Sequence, residues 1–399
     1  MIAEFFVNLC GGIHHLRFIM ARNRRNRNAV LSLSRQFVRK VRMMMENTKQ
    51  VSKGRVMEIE LMKAVAIISM VLVHVLGMGV LMDIRSPENY PVALTISFMG
   101  CFPSAGVFMF AMGWGTVFSK RATVGSYLRR CVTLFGAGLV INLFTGYVRA
   151  ILVPDVYGPI GSVLHSILAT DIYFFAALSQ LYFALMKKLE SKKPQRLILS
   201  GMLVAICFCV GVFVPAESFT TGSVWLDTIL GFFIRLNDRS YFPFVSWIFF
   251  PVMGFVSAVF YQKYGMKKTT IAAVAAGAFA YIVSTLFKTA LGMPTLPGTP
   301  EYYGLHPLNA LYGFAIIAAE FLIVRLILLA SRNRLPEFLL TMSKNVSYIY
   351  LIQWPLICIL SPVLVGITNI WLNVLAGIAI LVASCFLGKL LKKTNLIHI

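Results

Sequence analysis

The sequence predicts an all-α, polytopic integral membrane protein of about ten transmembrane helices, with both termini in the cytoplasm. Three observations lead there. The first is composition: of 399 residues, 58% are hydrophobic and only 13% charged, with a mean hydropathy of +0.78, whereas a soluble domain carries about a quarter charged residues. The second is a series of apolar runs, each near the ~20 residues a helix needs to cross the hydrocarbon core. The third is where the cations fall. A net charge of +22 would suit a nucleic-acid binder in a polar chain. In a chain this apolar, basic residues mark the loops that set membrane orientation. The expected partner is the lipid bilayer, and no nucleic acid.

Ten runs qualify as crossings: 61–82, 92–118, 128–148, 160–186, 196–215, 241–262, 270–292, 306–330, 338–362 and 364–390. An eleventh stretch, 223–234, is too short and is interrupted by Asp227, so it reads as a re-entrant or interfacial segment. With the N-terminus inside, thirty Lys and Arg lie in cytoplasmic segments and five outside, namely Arg85, Arg149, Arg235, Arg239 and Lys288. That is the positive-inside pattern. Counting 223–234 as a crossing would invert every later loop and destroy it.

Residues 1–54 hold eleven Lys and Arg against two acids, Glu4 and Glu46. The apolar stretch Met1–Ile19 is broken by His14, His15 and Arg17 and is followed by no small-residue cleavage site, which makes it a weak secretory signal. The segment reads either as a basic arm against anionic lipid or as the product of an upstream start codon, with the natural start among Met43, Met44 and Met45. One membrane domain, 55–391, and a short basic tail, 392–399, complete the expected organisation. The seven Cys have no paired metal spacing, and they read as small buried apolar residues. No Walker loop, dinucleotide glycine pattern or His-Glu-x-x-His occurs. Neither a metal nor a bound cofactor is expected.

Ionisable groups inside a membrane are costly and usually face a protein interior or a wet cavity. The first run opens Arg55-Val-Met-Glu58-Ile-Glu60-Leu-Met-Lys63 and continues apolar to His74. At 100° per residue, Lys63 and His74 point within about 20° of each other and stand ~16 Å apart along the axis. Glu60 lies three residues before Lys63 and so beside it. Glu60, Lys63, Ile67, Met70 and His74 therefore form one stripe. Two readings of it stand. In one, Lys63 snorkels, Glu60 neutralises it and His74 hydrogen-bonds a neighbouring helix. In the other, His74 is a general base or nucleophile.

The remaining polar residues carry weaker signals. Asp171 and His165 lie six apart in the fourth run, about 120° different in direction, and an acid there would orient an imidazole or line a cavity. His306, after the Pro-rich loop, reads as a loop residue at the outer surface. Glu320 is expected to pair with another helix or, less well, with Arg325. Asn142, Gln180 and Gln353 are expected interhelical hydrogen-bond partners.

The segment Glu60-Leu-Met-Lys63-Ala-Val-Ala, followed by His74, resembles the opening helix of transmembrane acyltransferases. These are the acyltransferase 3 family and its relatives of the heparan-α-glucosaminide N-acetyltransferase type. Their opening helix has an acid, an Arg three residues later, and a His at the end of an apolar run. Glu60 stands for the usual Asp and Lys63 for the usual Arg, and Arg55 matches the basic residue that precedes the acid. Ala105-Gly-Val-Phe-Met-Phe-Ala-Met-Gly113, Arg129-Arg130-Cys-Val-Thr-Leu-Phe-Gly-Ala-Gly138 and residues 241–262 resemble helices of the heparan-type branch. Ser343-Lys-Asn345-Val-Ser347-Tyr-Ile-Tyr350-Leu-Ile-Gln353-Trp354-Pro355 resembles a late helix of both branches. Two departures stand out: Lys63 loses the bidentate fork of a guanidinium, and Gln353 occupies a place where many relatives have His.

The resemblance implies transfer of an acyl group, usually acetyl, from cytosolic acetyl-CoA to a hydroxyl or amine of an extracytoplasmic glycan or glycolipid. Acyl-CoA is then a donor substrate, with Arg55 and Lys63 as candidates to hold its phosphates. His74 is the candidate catalytic group, Glu60, Asp171 and His165 are supporting or orienting groups, and His306 lies on the acceptor side. A bacterial plasma membrane is the expected location. Two other classes are consistent with ten spans and buried charge: a secondary transporter or lipid flippase, and a non-catalytic relative.

Overall fold

A computed structural model describes residues 56–77, 90–119, 123–157, 167–214, 221–235, 240–291 and 303–394. Among these the chain is helical without strands, and its β-like contact is an isolated bridge between Thr170 and Ser240. The helices are α1 (Met57–Leu76), α2 (Tyr90–Gly100), α3 (Val107–Phe118), α4 (Val124–Asn142), α5 (Arg149–Leu152), α6 (Pro154–Tyr157), α7 (Ile172–Lys188) and α8 (Lys193–Phe213). They continue with α9 (Val224–Gly231), α10 (Phe244–Trp247), α11 (Phe249–Ala290), α12 (Pro307–Ala330), α13 (Glu337–Lys344), α14 (Val346–Ile359), α15 (Ser361–Leu364) and α16 (Ile370–Lys393). The protein is an all-α polytopic membrane protein. Among the described residues, seven helical stretches are long and apolar enough to cross a membrane. Large apolar side chains such as Val132, Phe213, Phe279 and Phe386 are exposed on helix surfaces, as a lipid-facing exterior requires.

Each of the ten predicted runs overlaps a helix or one arm of a bent one. The bent one is α11. Its 42 residues would extend ~63 Å if straight, twice the hydrocarbon thickness. Gly265 breaks it with φ 75° and ψ 174°, a conformation open to glycine and costly for other residues. Lys263, Lys267 and Lys268 flank that break. The excluded stretch 223–234 forms α9, eight residues long and ~12 Å in length, too short to cross.

Local chemistry explains several boundaries. Thr123 and Ser126 form a reciprocal capping box at the start of α4. Asn369 caps α16 by accepting from the N–H of Trp371 and Leu372 at 2.9 and 3.2 Å. The fourth predicted run begins at 160, whereas α7 begins at Ile172. Asp171 is extended, at φ −94° and ψ 170°, and its carboxylate accepts from the Ile172 N–H. The helical angle drawn between Asp171 and His165 therefore does not apply, because Asp171 stands before the helix rather than on it. Between α2 and α3 the chain passes through a π-helical turn, Cys101–Gly106, that contains Pro103. Ser104 repairs the backbone there, donating from Oγ to the carbonyls of Met99 at 2.7 Å and of Ala66, on α1, at 3.1 Å.

Helix α1 sits at the centre, packed against α2, α3, α12, α13, α14 and α16. Near its first turn, Glu58 accepts from Arg325 of α12, Nη1 to Oε1 at 2.6 Å, with both side chains 5% exposed. Removing one partner of such a pair strands the other charge, at about 3–5 kcal/mol. Helices α3 and α11 meet backbone to backbone through two glycines. A Cβ on Gly113 would lie 1.9 Å from the carbonyl oxygen of Pro251, and one on Gly254 1.9 Å from that of Phe110. Neither neighbour is a flexible side-chain end, so Gly254→Ala must push the helices apart. It is expected to destabilise by about 1–3 kcal/mol, read as a lowered Tm in detergent. The control is Gly136→Ala on α4, whose Cβ meets nothing within 4 Å and which is expected to be neutral or stabilising. Equal Tm for Gly254→Ala and the unsubstituted protein would mean that the two backbones do not touch.

Candidate active site

The stripe on α1 survives as a physical feature. Lys63 Nζ donates to Glu60 Oε1 at 3.0 Å, the i,i+3 neighbours that helix geometry brings together. The second carboxylate oxygen, Oε2, accepts from Ser343 Oγ on α13. Glu60 is thus fixed from both sides and presents Lys63 at a set position. Ile67 and Met70 are buried, while Lys63 and His74 are half-buried.

Glu60 and Lys63 line a cavity of about 460 Å³ enclosed by α1, α3, α4, α7, α13, α14 and α16. Its wall carries four cations, Lys63, Arg130, Lys344 and Lys392, and one carboxylate, Glu60. Arg130, Lys344 and Lys392 are exposed and reach it from the rim. Lys392 is steered by Asn345, donating from Nζ to Oδ1 at 2.9 Å. Aromatic and sulfur-bearing side chains, among them Phe108, Met112, Tyr127 and Tyr348, share the rest of the surface with small and aliphatic residues. A polarised cavity of this kind suits an anion with an aromatic or apolar body.

Two tyrosines, Tyr173 and Tyr350, connect this cavity to His74. Both line it, and their rings meet edge to face with centroids 5.2 Å apart. Tyr350 is held by donating its hydroxyl to Asp171 Oδ1 at 3.0 Å, and Tyr173 by donating to the carbonyl of Ser347. The Tyr350 ring stands edge-on to the imidazole of His74, 6.2 Å between centroids at 69°. Trp354 also packs on His74, its ring centroid 4.3 Å away and its plane tilted by 33°. Gln353, fully buried, places its amide nitrogen 3.3 Å from His74 Nδ1. The imidazole is therefore clasped by one turn of α14 rather than turned toward lipid. That turn is set off by Pro355, which cannot donate to the carbonyl four residues earlier.

The sequence-derived candidates separate accordingly. Glu60 and Lys63 meet at the cavity, and His74 lies one aromatic ring beyond it. Asp171 comes near His74 by holding Tyr350, which itself touches the imidazole. His306 caps α12, accepting from the Leu308 N–H at Nδ1 over 3.2 Å. Arg55, His165, residues 1–54 and residues 395–399 lie outside the described residues. No cluster of His, Cys, Asp and Glu suited to a metal occurs among the described residues.

Sequence reasoning missed Arg130, Lys344 and Lys392 as wall residues. Arg130 and Lys344 stand inside the quoted motif stretches, but charge counting assigned Arg130 and Lys392 to membrane orientation, where any loop cation fits. Glu320 also departs from expectation. Arg325 is engaged by Glu58, and both carboxylate oxygens of Glu320 are buried without a hydrogen-bond partner among the described residues.

Among curated proteins none matches the chain. The sequence model of the acyltransferase 3 family, described as an acyltransferase domain, matches residues 57–389. The matched span contains every residue of the cavity wall except Lys392, together with His74, Gln353 and Trp354. The chain belongs to the acyltransferase 3 family of membrane acyltransferases.

Proposed function

We propose that the protein transfers an acyl group, acetyl foremost, from cytosolic acyl-CoA to a hydroxyl or amine of an extracytoplasmic glycan or glycolipid. The observation that carries this reading is the adjacency of a cation-rimmed cavity and a clasped imidazole, separated by the ring of Tyr350. Lys63, Arg130, Lys344 and Lys392 hold the phosphates of CoA by charge and hydrogen bonding. The aromatic wall takes the pantetheine arm and directs the thioester toward Tyr350. The acceptor approaches His74 from the opposite side of the membrane, which in this reading is the plasma membrane of a bacterium.

The acceptor oxygen or nitrogen bonds to the thioester carbonyl carbon while its proton passes to Nε2 of His74. The tetrahedral intermediate collapses, the C–S bond breaks, and the imidazolium returns the proton to the departing sulfur. The products are an ester or amide and free CoA thiol. Tyr350 and Asp171 keep the thioester path narrow, and Glu60 keeps Lys63 in place.

The experiment is direct. Purified protein in proteoliposomes is given labelled acetyl-CoA on one side and a panel of glycans on the other. Label is expected in one acceptor class, with slow thioester hydrolysis in the absence of acceptor. Failure to bind CoA, together with proton- or sodium-coupled solute uptake, would replace acyl transfer with transport.

A further inference from the structure

Gln353 is 0% exposed and has one polar neighbour of consequence. Its amide nitrogen lies 3.3 Å from His74 Nδ1, and its carbonyl oxygen Oε1 has no hydrogen-bond partner among the described residues. A carboxamide exchanges its oxygen and nitrogen by a half-turn about its last bond, so either atom can face the ring from this position. The two arrangements have opposite chemical consequences. With the amide nitrogen facing the ring, Nδ1 must be the unprotonated atom, and the proton of the neutral imidazole sits on Nε2. With the carbonyl facing the ring, Nδ1 carries the proton and Nε2 keeps its lone pair.

We propose that Gln353 is a positioning residue that accepts a hydrogen bond from Nδ1–H of His74 through Oε1, and so leaves Nε2 as the reactive atom. The proposal rests on the acyl-transfer reading above for its purpose, but not for its geometry. Whether His74 acts as base or as nucleophile, it needs the Nε2 lone pair. Once Nε2 takes a proton, the imidazolium has N–H donors at both nitrogens. An amide N–H₂ at Nδ1 would then oppose donor to donor, whereas a carbonyl accepts from that N–H and stabilises the cation. The turn moves the amide nitrogen to the place of Oε1, which has no hydrogen-bond partner among the described residues. Trp354 packs on the ring with centroids 4.3 Å apart and planes at 33°, which restrains the imidazole against turning away from Gln353.

The surroundings leave this task to Gln353. Among the described residues, the titratable groups facing His74 are Tyr350 from α14, with Asp171 and Tyr173 behind it. Cys358 lies one turn further along α14, with Arg149 near it. From the π-helical turn comes Cys101, which follows Gly100, where an added Cβ would lie 2.4 Å from Val73 Cγ1. On α1 itself the next ionisable group is Lys63. Among the described residues the imidazole's hydrogen-bond partner is Gln353.

The test reads the tautomer without substrate. The full chain is labelled with ¹⁵N-histidine, reconstituted in lipid and studied by solid-state NMR near neutral pH, with the His74 signals assigned by their loss in His74→Gln. A pyrrole-type signal at Nδ1 and a pyridine-type signal at Nε2 are expected; the reverse assignment overturns the proposal. In Gln353→Met, which keeps the volume and drops the acceptor, the Nε2–H form is expected to grow. There kcat should fall about ten- to a hundredfold with KM for acetyl-CoA nearly unchanged, because the phosphate cations lie elsewhere. Gln353→Glu restores an acceptor and adds a negative charge, which favours the imidazolium. It should recover kcat at alkaline pH and move the acid limb of the pH–rate profile upward. Wild-type kcat in Gln353→Met would equally overturn the assignment. The expected tautomer in a protein that transfers no acyl group would instead count against the reading of function and leave the role of Gln353 intact.

Discussion

Replacing His74 with Ala is expected to abolish acyl transfer while leaving acyl-CoA affinity within about twofold of the original. A positioned general base contributes on the order of a hundred- to ten-thousandfold to a proton-transfer step, or roughly 2.7–5.4 kcal/mol at 1.36 kcal/mol per decade. The affinity is preserved because the phosphate-facing cations are distinct from the imidazole. Lys63 stands eleven residues away on α1, and Arg130, Lys344 and Lys392 come from other helices. Truncation also removes the partner of a buried amide and the face under Trp354, so Ala costs stability as well as chemistry. His74→Gln fills more of the space and separates the two effects. Loss of turnover in both variants, with CoA still bound by calorimetry, assigns the loss to chemistry. Turnover equal to the unsubstituted protein in either variant removes His74 from the reaction.

What the sequence could and could not disclose follows from what periodicity measures. Lys63 and His74 were legible because both lie on one helix, where 3.6 residues per turn places them on one face without knowledge of any neighbour. The helices themselves were legible because hydrocarbon thickness fixes their length. The cavity was not, since its wall comes from seven helices whose azimuths no single run specifies. Lys344 and Lys392 are 48 residues apart along the chain yet share one rim. Asp171 shows the same limit differently. An acid near a histidine was expected to orient it directly, but the intervening group is Tyr350, 179 residues further on. Gln353 was readable as an interhelical hydrogen-bond partner. That its partner is His74, 279 residues away, required the packing of α14 on α1.

Charge reversal at Lys63 is the second large effect. In Lys63→Glu the affinity for acyl-CoA is expected to fall by a hundredfold or more, with kcat at saturation much less affected. The side chain is 23% exposed and already sits 3.0 Å from Glu60. Reversal puts two carboxylates three residues apart on the cavity wall and withdraws a cation from it. At an effective dielectric of about 20, a unit charge 4 Å from its partner interacts by ~4 kcal/mol. Partial solvent access reduces this, and about 3 kcal/mol remains for replacing attraction with repulsion. Lys63→Arg keeps the charge and adds a planar fork able to grip a phosphate with two parallel hydrogen bonds. Its affinity should equal or exceed that of Lys63. Lys344→Glu and Lys392→Glu, at exposed rim positions, should show smaller losses. Salt provides an independent axis. Raising ionic strength screens attraction in the unsubstituted protein and repulsion in Lys63→Glu, so the two affinities should converge as salt rises. A constant ratio of affinities across salt would mean that Lys63 shapes the cavity rather than attracts the phosphates, and unchanged affinity in Lys63→Glu would remove it from CoA binding altogether.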